Sequence, residues 1–334
     1  MSVYTHLIQQ DIEQLLARYD IGDLKSFNGI ESGVENTNYF LDVDNKGHLQ
    51  RYVLTLFEYL PVNKLPFFIN YTDELKASGL PVPNPVRDIN GIALQSVKGK
   101  PTLIVKCFKG KHPESKRLSI DQCQQIGSML ANIHIAGQNS SICQENQRGI
   151  SWLDAQQKRL IPLLDQDDAS FMAEQWQRIS SSLKAFEQLS TGLIHGDLFH
   201  NNVLFNRGKI SAVIDFYQAC NDWLIYDLAI TVNDWCLLRN LELDPLRLKA
   251  LANSYAQIRP FTDDEMKAWP LMLQLAAFRF WISRLITFVF PESLLYEEHQ
   301  RSLLRHYLEP NEFKDMLKLR ANNLSPTLGE LDFK

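Results

Sequence analysis

The run His195-Gly196-Asp197-Leu198-Phe199-His200-Asn201-Asn202, followed by Ile214-Asp215-Phe216, constrains this chain more than any other stretch. Leu193-Ile194 is a short apolar lead-in. Val203-Leu204-Phe205, Asn206 to Lys209 and Ile210 to Ile214 read as strand, tight turn and strand. A hairpin in that register brings Asn202 and Asp215 to the same end, where an amide oxygen and a carboxylate can share a hard cation such as Mg²⁺. Asp197, in the loop just ahead, can orient or deprotonate a hydroxyl. A carboxylate for a hydroxyl and hard ligands for the metal on a triphosphate are the parts phosphoryl transfer requires. Asp197 is therefore the catalytic candidate, Asn202 and Asp215 the metal candidates, and ATP with Mg²⁺ the implied cofactors. The plain alternative is a polar loop before a buried hairpin, with Asp215 capping a strand. A transition-metal site on His195, Asp197 and His200 is a rival. It lacks the D-x-H and G-N-H clusters that usually accompany such sites. His195 reads better as a structural histidine holding the loop backbone, and His200 as a loop residue without chemical duty.

The chain has 334 residues, enough for two lobes, and a net charge of −5, which gives no basic field for nucleic acid or anionic lipid. Met1 to Ile21 carries Asp11, Glu13, Arg18 and Asp20 and reads as an amphipathic helix rather than a signal peptide. No apolar run is long enough to span a bilayer; Arg279 and Arg284 interrupt the most apolar helical stretch, Phe278 to Pro291. Cys107, Cys123, Cys143, Cys220 and Cys236 are widely spaced and form no C-x-x-C pair, which fits reduced thiols in a cytoplasm. Asn322 to Lys334 reads as a polar tail.

Along the chain, Asn28 to Asn38 is a turn containing Gly29, Ser32 and Gly33 that leads into Tyr39 to Val43; Arg51 to Phe57 follows as a strand. Glycines let backbone N–H groups approach phosphate oxygens, so Gly29, Ser32 and Gly33 are nucleotide candidates. A helix is expected over Pro66 to Ser78. Pro85 to Phe108 reads as short strands ending in Thr102 to Phe108, where an adenine can hydrogen-bond backbone at Lys106, Cys107 and Phe108. From Ser119 the pattern becomes helical: Ser119 and Gln122 make a capping box, and Ile120, Cys123, Ile126, Leu130 and Ile133 repeat at helical spacing. His134 reads as a packed histidine. Further helices are expected over Trp152 to Leu164, Ser170 to Leu189, Ile225 to Leu238, Asp244 to Ala256, Thr262 to Val289 and Leu294 to Glu309, with Pro270 kinking or splitting the fifth of these. The expected fold class is α+β: a β-rich nucleotide-binding lobe over 1–105, with an antiparallel sheet and one principal helix, and a mainly helical catalytic and substrate lobe over 106–334.

The order Asp, Asn, Asp resembles the catalytic and metal-binding loops of protein kinases, giving a bilobal protein-kinase-like fold. Gly196 stands where those enzymes carry arginine, and the H-G-D form resembles the small-molecule kinases related to aminoglycoside and choline kinases. Several further segments resemble homoserine kinases of the aminoglycoside-phosphotransferase-like type: Ser32 to Asn38, Tyr52 to Glu58, Gly79 to Pro83, Val213 to Ala219, Tyr226 to Cys236 and Ala277 to Leu285. That resemblance covers most of the chain. It implies transfer of the γ-phosphate of ATP to the side-chain hydroxyl of L-homoserine, on the way to threonine.

A zwitterionic amino acid needs an anion for its ammonium and a cation for its carboxylate. Asp234 is the candidate for the first and Arg279 or Arg284 for the second, with Trp235 and Trp281 as pocket walls. Each has a plain alternative, since the arginines can pair with helix carboxylates and the tryptophans can be core. One departure from the protein-kinase pattern stands out: Thr55 occupies the position of the phosphate-binding lysine, although Glu74 is placed to match that lysine's partner. Mg²⁺ and backbone N–H groups of the Ser32-Gly33 turn are the candidates to neutralise the α- and β-phosphates in its place, with Lys64 and Arg51 as further candidate cations. The same fold could instead serve choline, a sugar or an aminoglycoside, or be a silent nucleotide-binding scaffold.

Overall fold

The computed structural model describes residues 3–30, 36–186, 188–289, 310–322 and 328. The helix expected over Leu294 to Glu309 lies outside the described residues, as does the tail beyond Asn322 except for Leu328. Strands β1 (Asp23–Gly29), β2 (Asn36–Asn45), β3 (His48–Phe57), β4 (Gln95–Val97) and β5 (Lys100–Lys106) form one antiparallel sheet in the order β1-β2-β3-β5-β4. Alternation sets its two faces. Tyr39, Leu41, Val43, Leu54, Leu56 and Ile104 point to a core shared with helix α1 (Gln9–Leu16). On the opposite face Phe57 and Leu103 pack with Leu65, Phe68 and Ile69 of helix α2 (Leu65–Ala77). Helix α1 is much shorter than the expected Met1 to Ile21. The backbone before it is held by the sheet instead: Tyr4 and Thr5 donate N–H to Thr37 Oγ1, and Leu7 donates to the Tyr39 hydroxyl.

The large lobe is helical: α3 (Ile120–Gln138), α4 (Ile150–Leu160), α5 (Gln166–Leu183), α6 (Leu224–Trp235), α7 (Pro245–Ala256), α8 (Asp263–Val289) and α9 (Pro310–Ala321). The capping box at Ser119 and Gln122 is present in both directions, at 2.8 and 3.1 Å. Helix α8 runs through Pro270 unsplit. Two small antiparallel pairs are set into this lobe. One is β6 (Thr191–Ile194) with β9 (Cys220–Trp223); the other is the hairpin β7 (Val203–Asn206) with β8 (Lys209–Val213). The cores cross between lobes. Tyr71, Leu75, Leu80 and Val82 belong to the large-lobe core, and Val213 donates its N–H to the Pro81 carbonyl at 2.8 Å. The rear of α2 is thereby pinned to the catalytic hairpin. Among the described residues no helix is long and apolar enough to cross a membrane.

Candidate active site

Helix α6 is the platform on which the loop of residues 195–202 rests. Asp227 and Asp234 sit about two helical turns apart and so share a face. Asp227, wholly buried, accepts the His195 N–H and the Gly196 N–H, each at 2.8 Å. Asp234 accepts the His200 N–H at 2.6 Å and its Nδ1 at 2.9 Å. Between them, Trp235 Nε1 donates to the Leu198 carbonyl at 2.9 Å. Three grips from one helix thus fix the loop backbone. Gly196 shows why no side chain stands there: its φ is +75°, and a Cβ would fall 2.7 Å from the Gln218 carbonyl oxygen.

A buried polar chain supports the platform. His134 Nε2 donates to Asp227 at 3.0 Å, Tyr255 hydroxyl meets His134 Nδ1 at 2.7 Å, and Arg259 binds both Tyr255 and Glu265. Burial disfavours the Asp227 anion, but hydrogen bonds from His134 and the loop amides outweigh it and hold the carboxyl below its usual range. Burial lowers the His134 imidazole and keeps it neutral. His195 is also buried and pushed down, chiefly by burial. Its Nε2 donates to the Ile214 carbonyl at 3.0 Å, so Nδ1 is left to accept the Asp197 N–H at 3.3 Å. Both ring nitrogens hold backbone, and His200 is held by Asp234. The transition-metal alternative fails on this point; among the described residues no group of three His, Cys, Asp or Glu is placed to hold a metal.

The hairpin does join Asn202 to Asp215. Val203 opposes Val213, and Ile214 donates its N–H to the Asn202 carbonyl at 2.9 Å. Asn202, 7% exposed, donates Nδ2 to the Asp197 carbonyl at 2.8 Å and reaches Asp197 Oδ2 at 3.5 Å. These bonds orient the amide through its Nδ2 and do not use its Oδ1. Asp215 is exposed and takes the left-handed conformation, φ 66° and ψ 59°, at the turn before Phe216. Phe216 is buried against the His195 and Tyr71 rings. An amide oxygen and a carboxylate at one hairpin end suit Mg²⁺, which prefers few protein oxygens and fills its remaining positions with water and phosphate. Asp215→Ala is expected to eliminate productive Mg·ATP binding, and Asn202→Ala to raise the Mg²⁺ concentration needed for half-maximal activity. Titration of activity against Mg²⁺ at fixed ATP checks both; unchanged dependence in the two variants contradicts the assignment.

Asp197 is half-buried. Burial raises its carboxyl, and the Arg279, His195, Arg284 and Arg148 charges pull it back. Arg279 is 4% exposed, lies 3.9 Å over the Phe280 ring and has no ion pair among the described residues. Arg284 is half-buried, its guanidinium 5.9 Å from the Phe313 ring centre. The other substrate candidates are placed differently from expectation. Asp234 is engaged by His200, and Trp235 is wholly buried beneath the loop. Trp281 is wholly buried against Phe171 and Phe278. These three position or pack; they do not wall a pocket.

In the small lobe, Ser32 and Gly33 fall outside the described residues. Gly29 ends β1 opposite Tyr39, and a Cβ there would lie 2.6 Å from Val3 Cγ2, so its bareness admits the N-terminal segment. Lys106 ends β5, where an adenine was expected to meet backbone. The Cys107 N–H is committed to the Arg51 carbonyl at 3.0 Å, which removes it as a donor to a base, while Phe108 accepts the Cys107 thiol. The sequence reading missed the sheet row Phe40–Val53–Val105, three half-buried apolar residues in register across β2, β3 and β5. The next row is Asn38–Thr55–Leu103, in which Thr55 Oγ1 donates to Asn38 Oδ1 at 2.7 Å. Glu74, placed to match that lysine's partner, has no ion pair among the described residues, and Arg51 pairs with Asp42 at 2.7 Å. Lys64 has no ion pair among the described residues. Strand alternation carried the signal for the apolar row; the two-turn spacing of Asp227 and Asp234 carried it for the platform.

Residues 26–261 match the family model described as "Phosphotransferase enzyme family". Solved structures similar in fold include an amicoumacin kinase in complex with AMP-PNP and Ca²⁺, 15% identical with a TM-score of 0.69 over 97% of each chain. A spectinomycin phosphotransferase in complex with ADP is 14% identical with a TM-score of 0.65 over 98% of each chain. The homoserine kinase of Methylobacillus flagellatus is 40% identical over 320 residues, 95% of each chain. That of Pseudomonas aeruginosa is 40% identical over 286 residues, covering 86% of this chain and 89% of its own. With a protein-kinase-like loop on a helical platform and this degree of identity along nearly the whole length, the chain belongs to the phosphotransferase enzyme family and, within it, to the homoserine kinases.

Proposed function

We propose that the protein transfers the γ-phosphoryl group of ATP to the side-chain hydroxyl of L-homoserine, giving O-phospho-L-homoserine and ADP. The observation that supports this reading is the Asp197 carboxylate, held 3.5 Å from the Asn202 amide at the end of the catalytic hairpin, with the Arg279 charge acting to keep it ionised. In this reading Asp197 orients the substrate hydroxyl and accepts its proton. Asn202 and Asp215 hold Mg²⁺, which supplies charge neutralisation on the triphosphate when bound. Phe40, Val53 and Val105 form the apolar bed for the base, with Lys106 and Phe108 as backbone contacts. Arg279 or Arg284 receives the substrate carboxylate. The burial of Trp235 and Trp281 speaks against choline, which needs an aromatic cage around its cation. All five cysteines are unbridged, which supports a reducing, cytoplasmic setting. Coupled ADP release measured with homoserine, serine, choline and kanamycin tests the reading. Homoserine is expected to be the best of the four; preferential turnover of choline or kanamycin overturns it.

A further inference from the structure

The buried polar relay behind helix α6 has a direction, and that direction fixes where each of its protons sits. It begins at the N-terminus of α8, where Thr262 and Glu265 form a capping box. The Thr262 N–H reaches Glu265 Oε2 at 2.9 Å, and the Glu265 N–H reaches Thr262 Oγ1 at 3.2 Å. The wholly buried Glu265 carboxylate accepts from both terminal nitrogens of Arg259, Nη2 at 2.6 Å and Nη1 at 3.2 Å. Nη1 also reaches the Tyr255 hydroxyl at 3.2 Å. A guanidinium only donates, so the Tyr255 oxygen accepts there and its own hydrogen is left for His134 Nδ1, 2.7 Å away. A neutral imidazole whose Nδ1 accepts carries its hydrogen on Nε2. That Nε2 faces Asp227 Oδ2 at 3.0 Å, and the same carboxylate receives the His195 and Gly196 amides.

Close packing of α7 on α3 sets this reach. A Cβ at Gly127 would fall 2.1 Å from the Leu251 carbonyl oxygen. Tyr255 stands one turn beyond Leu251 on α7, and His134 two turns beyond Gly127 on α3. The Tyr255 ring stacks on Phe261, centroids 5.2 Å apart, and meets the His134 ring edge-on at 5.6 Å. Asp227, His134 and Tyr255 are wholly buried, so water does not compete for these bonds. The opposite tautomer would turn a bare Nε2 lone pair on the Asp227 carboxylate and set two hydrogens against each other between His134 and Tyr255. A mismatch of that kind is expensive in a dry interior.

We infer that Tyr255 is a positioning residue for phosphoryl transfer: its hydroxyl hydrogen selects the Nε2–H tautomer of His134, and that tautomer holds Asp227 on the two amides that lead into Asp197. The kinetic consequence rests on the homoserine kinase reading; the tautomer does not. Long-range ¹H–¹⁵N correlation NMR of the full-length protein reads the tautomer, with the His134 signal assigned by its loss in His134→Gln. Wild type is expected to show the neutral Nε2–H form; an Nδ1–H form or a protonated ring overturns the inference without any variant. Tyr255→Phe keeps the stack on Phe261 and leaves Arg259 on Glu265. It is expected to move His134 out of the pure Nε2–H form and to lower kcat by about 5- to 50-fold, with KM for ATP and for homoserine unchanged. In His134→Gln the side-chain amide always carries hydrogens for Asp227, so adding Tyr255→Phe is expected to cost no more than about twofold further. Equal losses from Tyr255→Phe in both backgrounds, or an undiminished kcat in the single variant, overturn the inference. A wild type idle with homoserine overturns the functional reading, and the NMR measurement then decides the tautomer by itself.

Discussion

Asp197→Asn is expected to lower turnover by about 10²–10⁴-fold, the usual contribution of a general base, while ATP binding and the thermal midpoint persist. The fold survives because the contacts that position residue 197 are made by backbone: its N–H to His195 and its carbonyl to Asn202. The amide keeps size and hydrogen bonding but cannot take the hydroxyl proton. A pH profile adds a second reading. Burial raises the Asp197 carboxyl above the ordinary value of 3.8 despite the opposing arginines. The base is therefore lost as pH falls through a raised pKa, so the acidic limb of kcat/KM is expected above 3.8 in the wild type and absent in Asp197→Asn. A variant retaining more than about a tenth of wild-type turnover rules Asp197 out as the base.

The parts of this site that were legible in the sequence are those fixed by short-range geometry. A tight hairpin has few registers, so Val203 to Ile214 alone sufficed to bring Asn202 and Asp215 together. The capping box at Ser119 and Gln122 is equally local. Residues whose role depends on which face of a helix meets which loop were not legible. Asp234 and Trp235 lie in a segment that suggested substrate contacts, yet α6 turns both under the catalytic loop. Asp227 stood in the same run without any role, because its partners His134, His195 and Gly196 are distant in sequence. Trp281 was ambiguous for the same reason: one turn of α8 decides between a pocket and the core.

The missing lysine shows the limit differently. Its absence at Thr55 was plain in the sequence, but the occupant of its place was not. Thr55 and Asn38 face each other across β2 and β3 and satisfy each other with a hydrogen bond, so the position is filled by a neutral pair rather than left as a defect. The charges that act on Asp197 include the buried Arg279 guanidinium.

The buried Arg279 guanidinium underlies the second large effect. If Arg279 receives the substrate carboxylate, esterifying homoserine leaves a desolvated guanidinium unpaired. Such a loss commonly costs about 2–5 kcal/mol, or roughly 30- to several-thousand-fold in kcat/KM. Arg279→Leu is expected to impose a loss of the same order on homoserine, since the residue is buried and leucine suits its apolar surroundings beside Phe280. On the methyl ester the same substitution is expected to add little, because the interaction it removes is already gone; this non-additivity separates a direct contact from general damage to the fold. Arg284, half-buried where Arg279 is buried, is expected to show a weaker version of the pattern, as a more solvated charge contributes less. Serine tests the geometry from the other end. With its charges clamped, its hydroxyl stops one methylene short of Asp197, so its loss is expected in kcat as well as in KM. Comparable efficiency for homoserine and its methyl ester in the wild type would remove the carboxylate clamp from the mechanism.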